Sequence, residues 1–263
     1  MNKVIFSDVD GTLLNDDHQL TDVTRDAVRR LLAQEIPFVV VSARSPGGIF
    51  PILDDLGIRQ PIIAHGGSQI LDENRNTIHS ETFPMELAVR VTDYIDNSGL
   101  DACWNAFQLN DWMVRDKTDP KLLEEEAIVR AKARACDLRT MSGGINKILV
   151  ICREEHSEEM WHRLAETFPE LDIVRSGRLN IEVMPKGITK GTGAAAFCRL
   201  RGLDLENAWA FGDQYNDLPM LRAVGHGYLM DSAPDALKDG SLPMAPHNND
   251  NGLAQMLARD GLV

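Results

Sequence analysis

The sequence has 263 residues, of which 43% are hydrophobic and 25% are charged, and its formal net charge at pH 7 is −13. This composition is typical of a globular protein with one large domain or two smaller ones. The negative charge disfavours non-specific binding to nucleic acid or to an anionic membrane surface, and no apolar run is long enough to span a membrane.

The four cysteines are far apart and lack the paired spacing of a zinc site, so we expect buried thiols in a reducing compartment. A predicted strand directly follows Lys3 without a basic region and a long apolar segment, so no secretory signal is expected. We therefore predict a cytoplasmic protein with no nucleic-acid or membrane partner. The oligomeric state is not predictable from the sequence.

The first predicted strand covers residues 4–6 and ends in a polar segment with Gly11. Asp8 and Asp10 lie two residues apart in this segment, and in extended chain such side chains project to the same side. Two carboxylates repel each other unless a cation lies between them, and Mg²⁺ prefers carboxylate, water and phosphate oxygens. The pair indicates phosphate chemistry, although Asp followed by Gly is also a common turn sequence.

The run DVDGTLL, residues 8–14, resembles the first motif of the haloacid dehalogenase superfamily of phosphatases, Asp-x-Asp-Gly-Thr-Leu. In that family the first Asp is the nucleophile and the second is the general acid and base. The resemblance therefore implies these two roles for Asp8 and Asp10.

The next elements alternate between helix and strand. Apolar spacing predicts a helix over residues 21–34 with Thr21 as its cap, then a buried strand Phe38–Val41 and a helix over residues 46–56. Ligands of open parallel sheets bind at the carboxyl ends of the strands, so Ser42 is expected beside Asp8, unless it is only a helix cap. Relatives have Ser or Thr here, often followed by Gly-Arg, which implies phosphate binding by Ser42 and Ala43 and makes Arg44 a candidate substrate contact.

A third strand over residues 62–64 is followed by His65-Gly66-Gly67-Ser68. The glycines permit close approach of the backbone to a ligand. Relatives usually carry Asn-Gly where this chain has Gly66-Gly67, so any substrate contact made by that Asn is absent. His65 is either a substitute substrate contact or a solvated loop histidine. A hairpin is predicted over residues 68–79.

From about Pro84 the pattern changes to helix, strand, strand, helix, strand, helix, strand, strand. The helices are predicted over residues 85–97, 120–135 and 157–168, and the strands over residues 101–105, 112–116, 145–152, 173–176 and 179–184. Short turns between successive strands favour a mostly antiparallel sheet with helices on one face, as in an α+β domain inserted into an α/β one. The order resembles the large cap, type C2B, of the Cof-type or IIB branch of the superfamily.

The predicted cap offers few functional signals. Trp104 and Trp112 either stack on a substrate ring or belong to the cap core, and Arg178, at the tip of the last hairpin, is a candidate substrate contact by analogy with relatives. A basic cluster either meets an anionic substrate or forms a solvated helical face; it comprises Arg130, Lys132, Arg134 and Arg139.

After residue 184 the α/β pattern returns. Thr189 can start a helix, which places Lys190 in the first turn, where the helix dipole disfavours a cation. An anionic group such as phosphate would offset this cost, and the alternative is an exposed surface lysine. Lys190-Gly191 resembles the third family motif, whose lysine holds the substrate phosphoryl group and the nucleophile.

The strand predicted over residues 208–211 ends in GDQYND, and with Met220 this sequence matches Gly-Asp-x-x-Asn-Asp-x-x-Met, the fourth motif of the Cof-type branch. The resemblance implies that Asp213 is a metal ligand and that Asn216 holds phosphate. Asp217 would orient Lys190 or a metal-bound water, or cap the helix that begins at Leu218, or do both.

The resemblance covers essentially the whole chain. It implies a Rossmann-like, doubly wound α/β core over residues 1–83 and 186–263 and a cap over residues 84–185. Mg²⁺ would be held by the carboxylates of Asp8 and Asp213 and the backbone carbonyl of Asp10. Phosphate would be held by Ser42, Lys190, Asn216 and the amides near Val9 and Ala43.

We therefore predict a Mg²⁺-dependent phosphatase that acts on a small phosphorylated metabolite, such as a sugar phosphate, through an aspartyl phosphate. A phosphomutase and a non-catalytic phosphometabolite sensor are the alternatives. A nicotinamide enzyme is excluded because Asp-x-Asp-Gly stands where Gly-x-Gly-x-x-Gly is required.

Overall fold

The computed structural model describes residues 3–263. The chain forms two compact units, the first with residues 3–43, 49–78 and 189–263 and the second with residues 44–48 and 79–188. The domain boundaries at residues 83–84 and 185–186 remain a prediction.

The helices of the described chain, in order, are α1 Asp22–Ala33, α2 Pro46–Leu56, α3 Met85–Asp96, α4 Pro120–Val129, α5 Glu154–Thr167, α6 Lys190–Arg201, α7 Leu218–Ala223 and α8 Gly252–Arg259. The strands, in order, are β1 Val4–Ser7, β2 Phe38–Val41, β3 Ile62–Ala64, β4 Gln69–Leu71, β5 Thr77–Ser80, β6 Phe83–Pro84, β7 Ala102–Gln108, β8 Asp111–Val114, β9 Arg134–Ala135, β10 Gly144–Ile145, β11 Lys147–Cys152, β12 Leu171–Arg175, β13 Asn180–Pro185, β14 Ala208–Gly212, β15 His226–Met230 and β16 Met244–Ala245.

The sheet of the first unit has the order β16-β15-β14-β1-β2-β3-β4-β5, and its neighbours are parallel from β16 to β3. Alternate residues of each central strand pack into different cores. Phe38 and Val40 face the core that contains α1, α2 and α8, whereas Val39 and Val41 face the core of α6 and α7. This arrangement confirms the predicted doubly wound α/β fold, and it explains why β2 is an unbroken apolar run. The predicted cap on α1 is also confirmed, because Thr21 Oγ1 accepts the Thr24 N–H at 3.2 Å.

The second unit contains a six-stranded sheet in the order β12-β13-β11-β7-β8-β9, antiparallel except for the pair β8–β9. Helices α3 and α5 pack on one face, with Ile148 and Val150 of β11. Helix α4 packs on the opposite face, with Leu149 and Ile151 of the same strand. The prediction that the helices lie on one face is therefore wrong, because β11 is apolar on both sides and needs cover on both.

The predicted helix over residues 120–135 is too long, because α4 ends at Val129. Arg130 adopts a left-handed conformation with φ 53°, and the Ala133 N–H donates to the Glu126 carboxylate at 2.8 Å. The residues that follow form β9, which pairs in parallel with β8. The alternative of a helical face is thus wrong for the basic cluster, whose ion pairs include Lys132 with Glu126, Arg134 with Asp111 and Arg139 with Asp93.

Trp104 and Trp112 are buried in the second unit, with 6% and 4% of their surface exposed, as the core alternative predicts. The expectation of buried cysteines is right for Cys152 and Cys198 but wrong for the other two, because Cys103 and Cys136 are partly exposed. All four are free thiols. In the part of the chain that the structure describes, no helix combines the length and the apolarity needed to cross a bilayer.

Asp260, which follows α8, forms hydrogen bonds with side chains of two neighbouring strands, β14 and β15. Its Oδ2 atom accepts hydrogen bonds from Trp209 Nε1 at 2.9 Å and from the Tyr228 hydroxyl at 2.7 Å. Burial alone raises the pKa of Asp260, but the hydrogen bonds from Tyr228 and Trp209 outweigh it, so the pKa lies below the ordinary value of 3.8. The ionised Asp260 carboxylate therefore stabilises the fold fully at pH values above 3.8, and this contribution is lost as the pH falls through the lowered pKa.

Asp260→Asn is expected to lower the free energy of unfolding by about 1–3 kcal/mol at pH 7, because both donors then face a neutral amide instead of a carboxylate. Urea denaturation of both proteins at pH 7 and near pH 3 measures the effect. The difference between the proteins should shrink at the lower pH. A difference of the same size at both pH values would contradict the role of the charge.

Candidate active site

Three neighbouring parallel strands, β14, β1 and β2, bring the predicted site residues to one edge of the first unit's sheet. Asp8 follows β1, Ser42 follows β2 and Asp213 follows β14, and the carboxyl ends of parallel strands share an edge. The three residues are buried, with 6%, 2% and 3% exposed. The structure therefore brings together Asp8 of the first motif, Asp213 of the fourth motif and Ser42.

The loop after Asp8 is an irregular turn over Val9–Leu13, in which Gly11 has φ 78°. Thr12 Oγ1 donates to Asp213 Oδ1 at 3.0 Å. A Cβ atom on Gly11 would lie 2.5 Å from Asp213 Oδ2, so a side chain here would displace that carboxylate. Glycine is required both by the left-handed backbone and by the close approach of Asp213.

Lys190 is the first residue of α6, and Thr189 caps that helix by accepting the Thr192 N–H at 3.2 Å. The ammonium group is buried and donates to Asp8 Oδ1 at 2.6 Å and to Asp217 Oδ1 at 2.5 Å. Burial lowers the pKa of Lys190, but the two carboxylates outweigh this effect and raise it. The alternative of an exposed surface lysine is therefore wrong.

Asp217 is fully buried. Its Oδ2 atom accepts the backbone N–H groups of Asp213 at 3.0 Å and Gln214 at 2.9 Å, while Oδ1 accepts from Lys190. Its side chain makes no capping hydrogen bond to α7. Of the predicted roles, the contact with Lys190 is observed and the cap of the following helix is not.

Asp8, Asp213 and Asp217 each offer a carboxylate oxygen within 4.8 Å of the others. Burial is the main cause that raises the pKa of Asp8, which Lys190 partly offsets, and burial together with the Asp217 charge raises the pKa of Asp213 to about 6. A divalent cation would relieve this accumulation of negative charge. Because Asp217 already accepts three hydrogen bonds, Asp8 and Asp213 are the better ligands, and the donor set fits a hard cation such as Mg²⁺.

Asp10 does not join this buried carboxylate group. Its side chain is 42% exposed, and its Oδ1 atom lies 3.2 Å from His18 Nδ1. A half-exposed carboxyl next to the buried Asp8 can exchange protons with solvent or substrate, which suits an acid and base better than a metal ligand.

The structure shows the hydrogen bonding of two of the predicted phosphate-binding residues, Ser42 and Asn216. The Ser42 backbone joins two loops, since its N–H donates to Ile63 O and its carbonyl accepts the Gly66 N–H, both at 2.9 Å. Asn216 Oδ1 is buried without a hydrogen-bond partner among residues 3–263. This atom is an acceptor, so a phosphate group would be bound by the Nδ2 group of the same amide. Val9 and Ala43 directly follow Asp8 and Ser42.

His65 is completely buried, so the alternative of a solvated loop histidine is wrong. A Cβ atom on Gly67 would lie 2.1 Å from Thr189 O, so this glycine permits close approach to the start of α6. We expected the glycines to admit a ligand, but at Gly67 the close neighbour is the backbone before Lys190. A substrate contact by His65 remains a prediction.

Arg44 and Arg178, the other two candidate substrate contacts, belong to the second unit. Arg44 donates to Gly48 O at 3.5 Å, and the exposed Arg178 forms an ion pair with Glu154. Their contact with substrate remains a prediction.

Sequence reasoning missed three polar groups of the site: Thr12, Gln214 and His18. Gln214 Nε2 donates to Asp213 Oδ2 at 3.0 Å, so together with Thr12 it fixes the orientation of that carboxylate. Thr12 lies within the first motif, and its position two residues after Asp10 was an available signal. Nothing in the sequence singles out His18.

Comparison with known proteins gives consistent results. The family model for haloacid dehalogenase-like hydrolases matches residues 5–257. A putative phosphatase of Haemophilus influenzae is 33% identical over 98% of this chain and 97% of its own length, and an HMP-PP phosphatase of Serratia proteamaculans is 26% identical over 90% and 87%. The solved structure of a subclass IIB sugar phosphatase superimposes with a TM-score of 0.86 at 19% identity and covers 99% of this chain and 100% of that one, which supports the fold.

Proposed function

Because this phosphoric monoester hydrolase belongs to the haloacid dehalogenase-like hydrolase family, we propose that it hydrolyses a small phosphorylated metabolite, such as a sugar phosphate, with the help of Mg²⁺. The observation that carries the proposal is the buried Lys190 between Asp8 and Asp217, at 2.6 and 2.5 Å. The printed names of the relatives, an HMP-PP phosphatase and a sugar phosphatase, support a small substrate.

Asp8 is the proposed nucleophile. Lys190 donates to its Oδ1 atom, and this contact favours the ionised carboxylate that must attack phosphorus. The attack forms an aspartyl phosphate as the bond from phosphorus to the leaving oxygen breaks. In this step Asp217 takes no direct part and only holds Lys190 and the Asp213 loop in position.

A magnesium ion would be held by the carboxylates of Asp8 and Asp213 and by the backbone carbonyl of Asp10. When bound, it would supply positive charge beside the nucleophile and the phosphate. Thr12 and Gln214 keep the Asp213 carboxylate in one orientation through the hydrogen bonds at 3.0 Å.

Lys190, Ser42, Asn216 and the amides near Val9 and Ala43 are proposed to bind the phosphate oxygens. Phosphoryl transfer is accelerated mostly by positioning and electrostatics, so donors fixed in a buried site are suited to it. Asn216 would donate to a phosphate oxygen through Nδ2, whereas its Oδ1 atom, which lacks a hydrogen-bond partner in the described chain, needs a donor such as a substrate hydroxyl or a bound water.

Asp10 is proposed as the general acid and base. It gives a proton to the leaving oxygen in the first step, and it takes a proton from the water that attacks the aspartyl phosphate in the second step. Its half-exposed carboxyl is compatible with both exchanges.

The experiment is phosphate release from phosphorylated sugars, nucleotides and vitamin phosphates, in Mg²⁺ or in a chelator. We expect turnover only with Mg²⁺, and Asp213→Asn should raise the Mg²⁺ concentration for half-maximal activity by at least about tenfold. Glu73→Gln is the matched control, since this partly exposed residue of the same unit pairs with Arg201 and should not change the Mg²⁺ dependence.

Turnover that persists in chelator, or an Asp213→Asn protein with normal Mg²⁺ dependence, would contradict the proposed metal site. Transfer of the phosphoryl group to a second sugar, without phosphate release, would point to a phosphomutase instead.

A further inference from the structure

His18 approaches Asp10 from a loop that none of the four motifs includes. Its Nδ1 atom lies 3.2 Å from Asp10 Oδ1, in the first unit. Both side chains are accessible, with 63% of His18 and 42% of Asp10 exposed, so the pair has little value for stability. If the rest of the loop holds His18 beside Asp10, stability does not explain why the two side chains are in contact.

The loop is in fact held firmly within itself. Asn15 Oδ1 accepts the backbone N–H groups of Asp17 at 3.1 Å and Gln19 at 2.8 Å, and the Asn15 N–H donates to Gln19 O at 3.0 Å. The His18 N–H donates to Asn15 O at 2.9 Å. These bonds fix the backbone on both sides of His18.

A distant segment also anchors the loop. Asn248 Nδ2 and Asn249 Nδ2 donate to the two carboxylate oxygens of Asp16, at 3.0 and 2.8 Å, and the Asp16 N–H donates to Asn249 Oδ1 at 3.0 Å. Asn248 Nδ2 also donates to Leu14 O at 2.9 Å. The loop that carries His18 is therefore anchored by hydrogen bonds within itself and to residues 248–249, although it lies at the surface.

The backbone of His18 is strained, with φ 55°. Glycine or asparagine adopts this left-handed conformation more easily, and another side chain costs on the order of 1 kcal/mol there. An imidazole at a position that suits glycine, aimed at a carboxylate proposed to move protons, indicates a use for the side chain.

We propose that His18 is a positioning residue for Asp10, an inference that rests on the proposed function. The Nδ1–H group donates to Asp10 Oδ1, and the Oδ2 atom is thereby turned toward the reacting oxygen. This hydrogen bond persists in both states of Asp10, because Oδ1 accepts whether or not Oδ2 carries the proton.

In the first step, Asp8 bonds to phosphorus and the bond from phosphorus to the leaving oxygen breaks. At the same time the leaving oxygen takes the proton from Asp10 Oδ2. In the second step, Oδ2 takes a proton from water as the water oxygen attacks phosphorus and the bond from phosphorus to Asp8 breaks. Without His18 the Asp10 carboxyl would lose this hydrogen bond, and the fraction of time that Oδ2 faces the substrate would fall.

The test uses two variants that both suit a left-handed backbone. His18→Asn keeps an N–H donor close to the position of Nδ1, whereas His18→Gly removes it. Each is assayed for kcat/KM on an alkyl phosphate, whose leaving oxygen needs a proton, and on p-nitrophenyl phosphate, whose leaving group departs as a stable anion. This parameter reports the steps up to transfer to Asp8.

We expect His18→Gly to lower kcat/KM for the alkyl phosphate by about tenfold and for p-nitrophenyl phosphate by less than about twofold, since general acid catalysis is worth about 10²–10⁴-fold in total. His18→Asn should recover most of the lost activity. Equal losses on the two substrates, no loss at all, or an asparagine variant no better than the glycine variant would each overturn the positioning role.

Asp10→Asn, assayed in parallel, separates this inference from the function on which it rests. A loss confined to the alkyl phosphate in Asp10→Asn, with a wild-type result in His18→Gly, would overturn only the role of His18. Equal losses of kcat/KM on both substrates in Asp10→Asn would overturn the proposed acid, and the role of His18 with it.

Discussion

Lys190→Met is expected to lower the free energy of unfolding by about 3–5 kcal/mol in magnesium-free buffer, which is the usual cost of removing one partner of a buried ion pair. The ammonium group lies between Asp8 and Asp217 at 2.6 and 2.5 Å, and only 2% of the lysine side chain is exposed. Methionine fills similar space but leaves two buried carboxylates without a counter-charge. Urea denaturation measures the loss.

A double-mutant cycle tests this cause. Asp217→Asn in the Lys190→Met background removes one of the two uncompensated charges, so the double variant should be more stable than the sum of the single effects predicts. Lys238→Met is the control, because Lys238 pairs with the more exposed Asp231 at 3.2 Å and should lose less than about 1 kcal/mol. Additive effects of Lys190→Met and Asp217→Asn would show that the two residues are not coupled.

The effect on activity should be large as well. Lys190 is proposed to orient the nucleophile and to bind the phosphate, so kcat/KM of Lys190→Met should fall by at least about 10²-fold, the usual cost of one electrostatic donor. Added Mg²⁺ should restore part of the stability but not the activity. Activity within tenfold of the wild type would rule out a phosphate-binding role for Lys190.

The position of the site was predictable because parallel strands covered on both faces need unbroken apolar sequence. The run Phe38–Val41 is such a strand, and the first polar residue after it marks the carboxyl edge of the sheet. The motif resemblance then assigned roles that strand periodicity alone does not give.

For Lys190 the helix-dipole argument identified the cost of the cation but only one kind of anion that can offset it. A cation in the first turn of a helix needs a nearby anion, and we expected the substrate phosphate. The structure supplies two carboxylates of the chain itself, Asp8 and Asp217. The motif resemblance implied both contacts, but spacing along the chain alone does not reveal them, because the three residues come from different segments of the sheet edge.

The end of α4 and the contact of His18 with Asp10 were not predictable, because both depend on distant partners. The segment after Val129 is rich in good helix formers, Arg, Ala and Lys, yet Arg134–Ala135 pairs with β8 instead. The His18 loop is anchored by Asn249, which is 233 residues from Asp16. Local propensity contains no information about either contact.

Asp8→Asn is expected to lower kcat by at least about 10⁴-fold, as is usual when a covalent nucleophile is removed. The asparagine oxygen can still accept the hydrogen bond from Lys190, so the protein should remain folded in a thermal melt. Activity that survives in Asp8→Asn, after purification from a strain that lacks contaminating phosphatases, would exclude Asp8 as the nucleophile.

Asp10→Asn should separate the two steps and trap the covalent intermediate. With p-nitrophenyl phosphate the first transfer needs no proton, so one equivalent of nitrophenolate should be released in a burst. The second step needs a base to deprotonate water, so its rate should fall by about 10²–10⁴-fold and the phosphoryl group should stay on the protein. Intact-protein mass spectrometry after rapid acid quench should then show the added mass of one phosphoryl group.

The double variant Asp8→Asn/Asp10→Asn is the matched control and should show neither the burst nor the added mass. A phosphoryl group found on the double variant would place the nucleophile elsewhere, whereas steady turnover of Asp10→Asn without a burst would mean that Asp10 is not the base of the second step.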